Sequence, residues 1–417
     1  MNPKRSGATG TRQGSTSHNE RFSADMCIVG GAGHVGLPLG IAFAAKGYRV
    51  ILYDLNTRAL ETIRQGRMPF IEYDAEPILQ EVVGRTLSLS SNIFNISAAR
   101  FIIIAIGTPV DEYLNPKLRT LLELFSQLRP HLDIEQTIIV RSTVYPRTCR
   151  QILSLLENDG SGPWHIAYCP ERIAQGYAIR ELGKLPQLVA GLSSRALEDA
   201  KKLFSIVAPK VIEVTIEEAE LAKLFSNAWR YNQFALANQF YMIASDFGVD
   251  FNKVRLAMMD AYGRAYGLPT AGFAAGPCLL KDTLQLAAFN NNNFALGHAA
   301  MMVNEGLPGF IVERLREKYD LSRTKVGILG MTYKADIDDT RDSLSYKLGK
   351  ILRFHGATVF YSDEFAKDPT FVSKEELVAS TEVVIVGVPH SAYQNLSIPR
   401  GVEVVDLWGA IQGKQEV

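Results

Sequence analysis

The sequence has no long apolar run, no excess of charge and almost no cysteine. Its 44 Lys+Arg balance 44 Asp+Glu, so no bulk field draws nucleic acid or an anionic membrane surface, and neither is expected as a partner. A local basic site for a phosphorylated ligand stays open. No stretch reads as a membrane span or a secretory h-region, and a reducing cytoplasm is the expected compartment. The four cysteines (Cys27, Cys149, Cys169 and Cys278) are spaced too widely for a metal knuckle or a disulfide framework, so no metal is expected. What is left, at 47% hydrophobic and 21% charged residues, is a soluble globular composition. Its 417 residues exceed one ordinary core, and two or three domains follow.

One cysteine stands in unusual company, in the run Gly272-Phe273-Ala274-Ala275-Gly276-Pro277-Cys278-Leu279-Leu280-Lys281-Asp282. The glycines let backbone approach a ligand closely, and the apolar segment 279–289 predicts a helix. A thiol at that helix start would sit at the positive end of the dipole, where its pKa falls and it becomes a better nucleophile. Asp282 lies four residues on, one turn away on the same face. A buried, inert cysteine beside a helix start is the ordinary alternative. The glycines and the Lys281-Asp282 pair weigh toward chemistry.

Residues 1–23 are polar, aperiodic and rich in Gly, Ser, Thr and Arg, the composition of a disordered tail. A strand is predicted at 25–30, followed by Gly31-Ala32-Gly33-His34-Val35-Gly36 and an apolar helix through Ala45. A second strand, 49–53, ends on Asp54, which lies 18 residues beyond Gly36. Strand, glycine turn, helix, strand and acid in this order form the dinucleotide-binding pattern. The glycines admit the pyrophosphate to the helix N-terminus, and Asp54 would accept from the adenosine ribose, favouring NAD over NADP. A glycine turn without a nucleotide is the alternative, and the surrounding order weighs against it.

Strands at 100–106 and 137–141 end in Gly107-Thr108-Pro109 and Ser142-Thr143-Val144-Tyr145-Pro146. Polar residues at the carboxyl ends of parallel strands lie where such sheets bind ligands, although turn and cap chemistry explains Ser and Thr equally well. A strand at 165–168 leads into Cys169-Pro170-Glu171-Arg172-Ile173-Ala174-Gln175-Gly176, and a strand at 187–190, a helix at 193–207 and a strand at 210–214 follow.

Residues 216–247 contain no Gly or Pro, and at ~1.5 Å per residue they predict a helix of roughly 48 Å. Lys223 and Asn227 are spaced i, i+4 on it, with Glu220 one turn before. A solvated face is the ordinary reading of such a triplet. Aromatic neighbours (Phe225, Trp229, Tyr231 and Phe234) imply a covered surface, where Lys and Asn need a reason to be present. A helix this long leaves an apolar face over, with Phe225, Trp229, Phe234 and Phe240 on more than one face, and predicts a homodimer. A further helix is expected at 252–262. The last third repeats the first, with strands at 325–330, 357–361 (leading to Asp363), 382–388 and 402–407. After its first strand stands no glycine triplet but the segment 331–343, where Lys334 and Arg341 suit phosphate. Surface salt bridges to Asp338 or Asp342 account for them as readily.

The fold class read from this is α/β, two Rossmann-like parallel-sheet domains joined by a long central helix and an all-helical middle domain. The divisions fall at 1–23 (tail), 24–214, 215–320 and 321–417.

Taken in order, the glycine turn through Gly36, Gly107-Thr108-Pro109, Ser142-Thr143-Val144, Pro170-Glu171-Arg172, Glu220 through Lys223 to Asn227, the approach to Cys278 with Lys281-Asp282, and Lys334 through Arg341 resemble the UDP-glucose/GDP-mannose dehydrogenase family. The resemblance covers residues 25 to about 410. It implies oxidation of the C6 alcohol of a UDP-sugar to a carboxylate with reduction of two NAD. It implies that Asp282 and Lys223 handle the alcohol proton and the charge on oxygen, and that Cys278 forms a thiohemiacetal and then a thioester. Glu171 would be the hydrolytic base, Asn227 and Lys223 the oxyanion donors, and Thr143 a holder of the water network. Cofactor contacts are implied for Gly31, Gly33, His34, Val35, Gly36, Asp54, Arg58, Thr108, Pro109, Thr143, Gln175 and Arg341. Substrate contacts are implied for Glu171, Arg172, Lys223, Asn227, Arg264, Gly272, Phe273 and Lys334, with Arg264 reaching a neighbouring chain. The chain departs from the family at Ala275-Gly276-Pro277-Cys278, where Pro277 removes a backbone donor, and at Arg58, four rather than five residues beyond Asp54. Pro170-Glu171-Arg172 and the segment 289–307 resemble the branch acting on UDP-N-acetylhexosamines. The expected substrate is UDP-N-acetyl-D-mannosamine, then UDP-glucose, with a silent nucleotide-sugar binder as the non-enzymatic alternative.

Overall fold

Short runs of Val, Ile and Leu, too brief for helices and closed by Gly, Asp, Ser or Thr, become the strands of two sheets. The computed structural model describes residues 21–108, 117–158 and 160–412. The first sheet contains β1 (Ala24–Val29), β2 (Val50–Tyr53), β3 (Leu87–Ser90), β4 (Ala99–Ile104), β5 (Thr137–Val140), β6 (His165–Tyr168), β7 (Gln187–Gly191) and β8 (Val211–Glu213). Their order is β3-β2-β1-β4-β5-β6-β7-β8. The order reverses between β1 and β4, and the crevice beyond their carboxyl ends is where such a sheet receives a ligand. All pairs are parallel except β6 with β7, which run antiparallel through Ala167↔Gly191 and Tyr168↔Ala190. At that one pair the segment 169–186, with the short helix Ala178–Leu182, carries the chain back against β6.

Both faces of this sheet are buried. Met26, Ile28 and Ile103 pack into one core, and Cys27, Val29 and Ile102 into the other, the period of two that a pleated strand imposes. The second sheet, β9 (Lys325–Leu329), β10 (Thr358–Ser362), β11 (Val383–Val386) and β12 (Glu403–Val405), is parallel throughout in the order β10-β9-β11-β12.

Between the sheets stands the helix Ile216–Asp246, 31 residues long. Thr215 and Glu218 form a reciprocal capping box at its start, and Gly248 at φ +76 ends it. The helices Phe251–Met259, Leu279–Phe289 and Ala295–Arg316 complete the middle of the chain. The last of these was not expected from the sequence, because Gly306, Pro308 and Gly309 lie inside it. Also unexpected were β3, an edge strand of only four residues, and the helices Thr57–Arg64 and Ala75–Val82. Among the described residues no helix is long and apolar enough to cross a membrane. Residues 1–20 of the expected tail, and Pro109, lie outside the described residues.

Candidate active site

Three walls meet at the carboxyl end of the first sheet. The first is the turn between β1 and the helix Gly36–Ala45. Gly30 adopts φ +80, open only to glycine at low cost. A Cβ on Gly36 would lie 2.3 Å from the Gly30 carbonyl, and one on Gly31 2.8 Å from Leu52 Cα. Gly33 differs, since its nearest neighbour would be 3.4 Å away. The protein itself leaves room there, as close approach of a pyrophosphate to the helix N-terminus requires. Asp54 ends β2 and its Oδ2 accepts from Ala32 N at 3.0 Å, while Oδ1 accepts from Asn56 N at 2.9 Å. Each oxygen keeps a lone pair for a ribose hydroxyl, so turn and acid fit a dinucleotide.

His34 turns out of the turn, its ring 3.9 Å from that of Phe70 and its Nε2 3.4 Å from Gln175 Nε2. Burial pushes this imidazole down to about 4, only partly offset by Asp339, so it is neutral. Val35 packs half-buried against the core, and Arg58 stands exposed with no ion pair among the described residues. Thr108 Oγ1 donates to Thr143 O at 2.6 Å and Ser142 Oγ to Ile106 O at 2.7 Å, lacing the ends of β4 and β5 together.

Glu171 is buried after β6 and pairs with the buried Arg141 guanidinium through Oε2, while its Oε1 accepts from Arg172 N at 2.6 Å and Ile173 N at 2.7 Å. Arg141 is itself held by Gln187 Oε1 at 2.9 Å. Arg172 folds back, its guanidinium donating to the Pro186 carbonyl.

The second wall is helical. Lys223 and Asn227 are buried on the helix Ile216–Asp246, and Asn227 Nδ2 donates to Asp282 Oδ2 at 2.5 Å. The Lys281 ammonium holds the other oxygen of Asp282, which is wholly buried. Asp282 N donates to Cys278 O at 2.9 Å, the opening bond of the helix Leu279–Phe289, with Cys278 at its N-cap. Lys223 has no salt-bridge partner among the described residues, and its charge acts on the Cys278 thiol. Glu220 does not join this group. It caps the helix Thr148–Glu157 by accepting from Arg147 N at 2.6 Å and Cys149 N at 3.0 Å.

Cys278 is exposed, whereas the other three cysteines are buried. Its pKa is raised, not depressed as the helix start alone predicts. The residue opens to the cleft, yet the walls crowd the sulfur, so burial and then the Asp282 carboxylate raise the thiol above its ordinary value. Lys223, Lys281 and Arg341 offset this in part. Desolvation outweighs the helix end, and the resting group is a thiol.

The third wall is the loop 331–343 after β9. Gly276 adopts φ +95, and a Cβ there would lie 2.4 Å from the Tyr333 ring. Tyr333 OH donates to Gln175 Oε1 at 2.8 Å, Gln175 Nε2 donates to Asp339 Oδ2 at 3.0 Å, and Lys334 Nζ donates to Gln175 O at 3.0 Å. Gln175 is therefore clasped by the second α/β unit from three directions. Arg341 pairs with Asp339, Nη2 to Oδ2 at 2.6 Å, and not with Asp338 or Asp342, the partners of the salt-bridge alternative. Lys334 lies 4.7 Å over the Tyr177 ring rather than in a surface salt bridge.

Phe273 is buried in the core beside Ala271, and Gly272 is bonded on both backbone groups by Asn238. Arg264 stands exposed on the turn Gly263–Ala265, 6.0 Å from the Tyr262 ring centroid, apart from the cluster of its own chain. Tyr333 was missed from the sequence, although it lies between Thr332 and Lys334 in a segment already singled out. Among the described residues no group of His, Cys, Asp and Glu is placed to hold a metal ion.

Three domain models of one family match the chain, described as the NAD binding, central and UDP binding domains of the UDP-glucose/GDP-mannose dehydrogenase family. They span residues 24–208, 217–306 and 327–412. A UDP-N-acetyl-D-mannosamine dehydrogenase of Pyrococcus horikoshii is 28% identical over 386 residues, 88% of this chain and 90% of the relative. An NDP-N-acetyl-D-galactosaminuronic acid dehydrogenase of Ralstonia nicotianae is 24% identical over 89% of this chain and 92% of its own. Among solved structures, a UDP-D-ManNAc dehydrogenase from Pyrococcus horikoshii superposes with TM-score 0.85 at 25% identity, covering 93% of this chain and 99% of the other. A UDP-glucose dehydrogenase from Pyrobaculum islandicum gives TM-score 0.84 at 25% identity over 95% and 98%.

Proposed function

The chain belongs to the UDP-glucose/GDP-mannose dehydrogenase family, as an NAD-dependent nucleotide-sugar dehydrogenase, and from that premise we propose that it oxidises UDP-N-acetyl-D-mannosamine at C6 to the uronate through Cys278. The observation that carries the mechanism is the convergence of Lys223, Asn227, Lys281 and Asp282 on the N-cap cysteine. The choice of sugar rests on likeness to relatives of that name along nearly the whole of both chains.

The glycine turn 30–36 and Asp54 would hold NAD, which would supply the hydride acceptor for each of the two oxidations. Asp282 and Lys223 together take up the hydroxyl proton and the charge on oxygen as the first hydride leaves C6. Asn227 and Lys223 hold the resulting oxygen. The Cys278 sulfur then adds to the aldehyde carbon and its proton passes through this same carboxylate–ammonium network to the carbonyl oxygen, forming a thiohemiacetal. Loss of the second hydride and the hydroxyl proton leaves a thioester. Water cleaves it, returning the thiol and the carboxylate. The hydrolytic base is assigned to Glu171, which would act through the remaining lone pair of Oε2, because Arg141 and two backbone N–H groups occupy the rest. Thr143 helps to hold that water.

Incubation with NAD and a panel of UDP-sugars tests the reading. UDP-N-acetyl-D-mannosamine should give two NADH per sugar and a kcat/KM at least about 10-fold above that of UDP-glucose. NADP should be used far less well, because Asp54 repels a 2′-phosphate. A preference for UDP-glucose, which the likeness to the Pyrobaculum enzyme favours, would replace the sugar but not the chemistry. Tight sugar binding without NADH would identify a silent binder.

The active form is a homodimer built on the central helix. Phe225, Trp229, Leu236, Ile243 and Phe247 are exposed, Trp229 by 65% and Phe247 by 84%. At ~100° per residue they fall within about 40° of one another, one apolar stripe along the helix. Phe234 and Phe240 pack inward on their own chain. A second copy covers such a stripe with the same stripe. Light scattering should give twice 46.1 kDa, and Trp229→Glu should shift the protein to monomer. A fully active wild-type monomer would remove this assembly, and with it any role for Arg264 in a neighbour's site.

A further inference from the structure

Six residues before Cys278 the chain passes a point where the central helix, the helix Ala295–Arg316 and the second sheet all meet. The catalytic steps proposed above make no use of it. Asn238 accepts from Gly272 N at 2.8 Å and donates through Nδ2 to Gly272 O at 3.0 Å. One amide thus pairs with one residue's backbone as a neighbouring antiparallel strand would. The same Nδ2 also donates to Asn304 Oδ1 at 2.8 Å, and Asn304 Nδ2 donates to Tyr231 O at 3.0 Å. Asn238, Asn304 and Tyr231 are all at 0% exposure. The Gly272 N–H can only donate, so it sets the orientation of the Asn238 amide, and Asn238 in turn sets that of Asn304. From the opposite side the C-terminal unit closes on the same glycine. A Cβ at Gly272 would lie 2.3 Å from the Trp408 indole. Trp408 Nε1 donates to Gly387 O at 3.1 Å just after β11, and its ring lies 6.4 Å from that of Phe234 on the central helix.

We propose that the Asn238–Asn304 pair is a positioning device for the catalytic cysteine. It pins Gly272 between the central helix and Trp408, so the segment 272–278 holds Cys278 in attacking position while the C-terminal unit is seated. The inference rests on the covalent role of Cys278 given above. The first hydride departure needs Lys223, on the central helix, and Asp282, which Asn227 and Lys281 hold inside the helix that Cys278 only begins. The addition of sulfur needs the loop. Loosening the pair therefore slows the second oxidation more than the first. Asn238→Asp removes the donor to Gly272 O and to Asn304 Oδ1 and sets a buried charge against both acceptors.

The test uses full-length Asn238→Asp and Asn304→Leu. The second variant removes the acceptor of the relay and keeps a neutral core. Expected are uronate formation slowed by about 10²-fold in Asn238→Asp, the cost of misplacing a reacting group by about 1 Å, and an unchanged KM for NAD. NADH per sugar should fall from two toward one, with the aldehyde captured by hydroxylamine. A second readout needs no turnover: alkylation of Cys278 by iodoacetamide, followed by mass spectrometry without sugar or cofactor, should speed up several-fold in both variants. Unchanged alkylation in Asn304→Leu overturns the proposal, even where Asn238→Asp does not fold. So does a folded Asn238→Asp that loses both oxidations equally. A wild type that reduces no NAD with any UDP-sugar would defeat the catalytic reading, while the alkylation rates would still decide the positioning.

Discussion

Cys278→Ser should lose acid formation by at least about 10³-fold and should still reduce NAD once per sugar. The residue sits at the N-cap of the helix Leu279–Phe289, open to the cleft, with Asp282 bonded to its carbonyl and Lys223 acting on its sulfur. The thiol is raised above its ordinary value, so attack depends on the network taking its proton at the moment of addition rather than on a standing thiolate. A serine hydroxyl is far more weakly acidic, so the same network cannot drive its addition. An ester, were one formed, would also be a worse acyl donor than the thioester. Asp282, Lys223 and Asn227 are untouched, so the alcohol is still oxidised and aldehyde accumulates. The measurement is chromatography of aldehyde trapped by hydroxylamine beside uronate. Uronate formed at near wild-type rate by the serine variant would end the covalent mechanism.

The strands that house this chemistry were legible because buried parallel strands are continuous apolar runs. β6 was located at its observed bounds, and β1, β2, β4, β5 and β9 within two residues. The glycine turn was legible because backbone geometry demands glycine at Gly30 and Gly36. The helix Ala295–Arg316 was hidden by Pro308, whose cost is absorbed by packing against the central helix. β3 was hidden by its serines, which face a partly open edge. At the site, Asp282 and Cys278 could be paired from helical spacing alone. Tyr333 against Gly276, and Asn238 on Gly272, join positions far apart in the chain, and no local pattern records them. The direction of the thiol shift was misread for a related reason. The helix end is visible in sequence, but the crowding of the sulfur comes from walls that only the fold brings together.

Asp282→Asn separates two properties that would otherwise fall together. The wild-type carboxylate is wholly buried and accepts from Asn227 Nδ2 at 2.5 Å and from the Lys281 ammonium. In the proposed mechanism it is the proton acceptor for the alcohol, and its charge also helps to raise the Cys278 thiol. Asparagine keeps the shape and can still accept from Asn227, but it holds no negative charge and takes no proton. Turnover should therefore drop by about 10²- to 10⁴-fold, the usual contribution of a positioned base. The thiol should move the other way. With the negative neighbour gone and the fields of Lys223, Lys281 and Arg341 left in place, its pKa falls. The fraction of thiolate at a given pH then rises, and alkylation of Cys278 shifts to lower pH. A pH series of iodoacetamide labelling, read beside NADH production, sees both effects in one variant: a slower enzyme with a more reactive cysteine. If labelling slowed along with turnover, the carboxylate would be activating the resting thiol rather than suppressing it, and the assignment of Asp282 to the alcohol proton would fail.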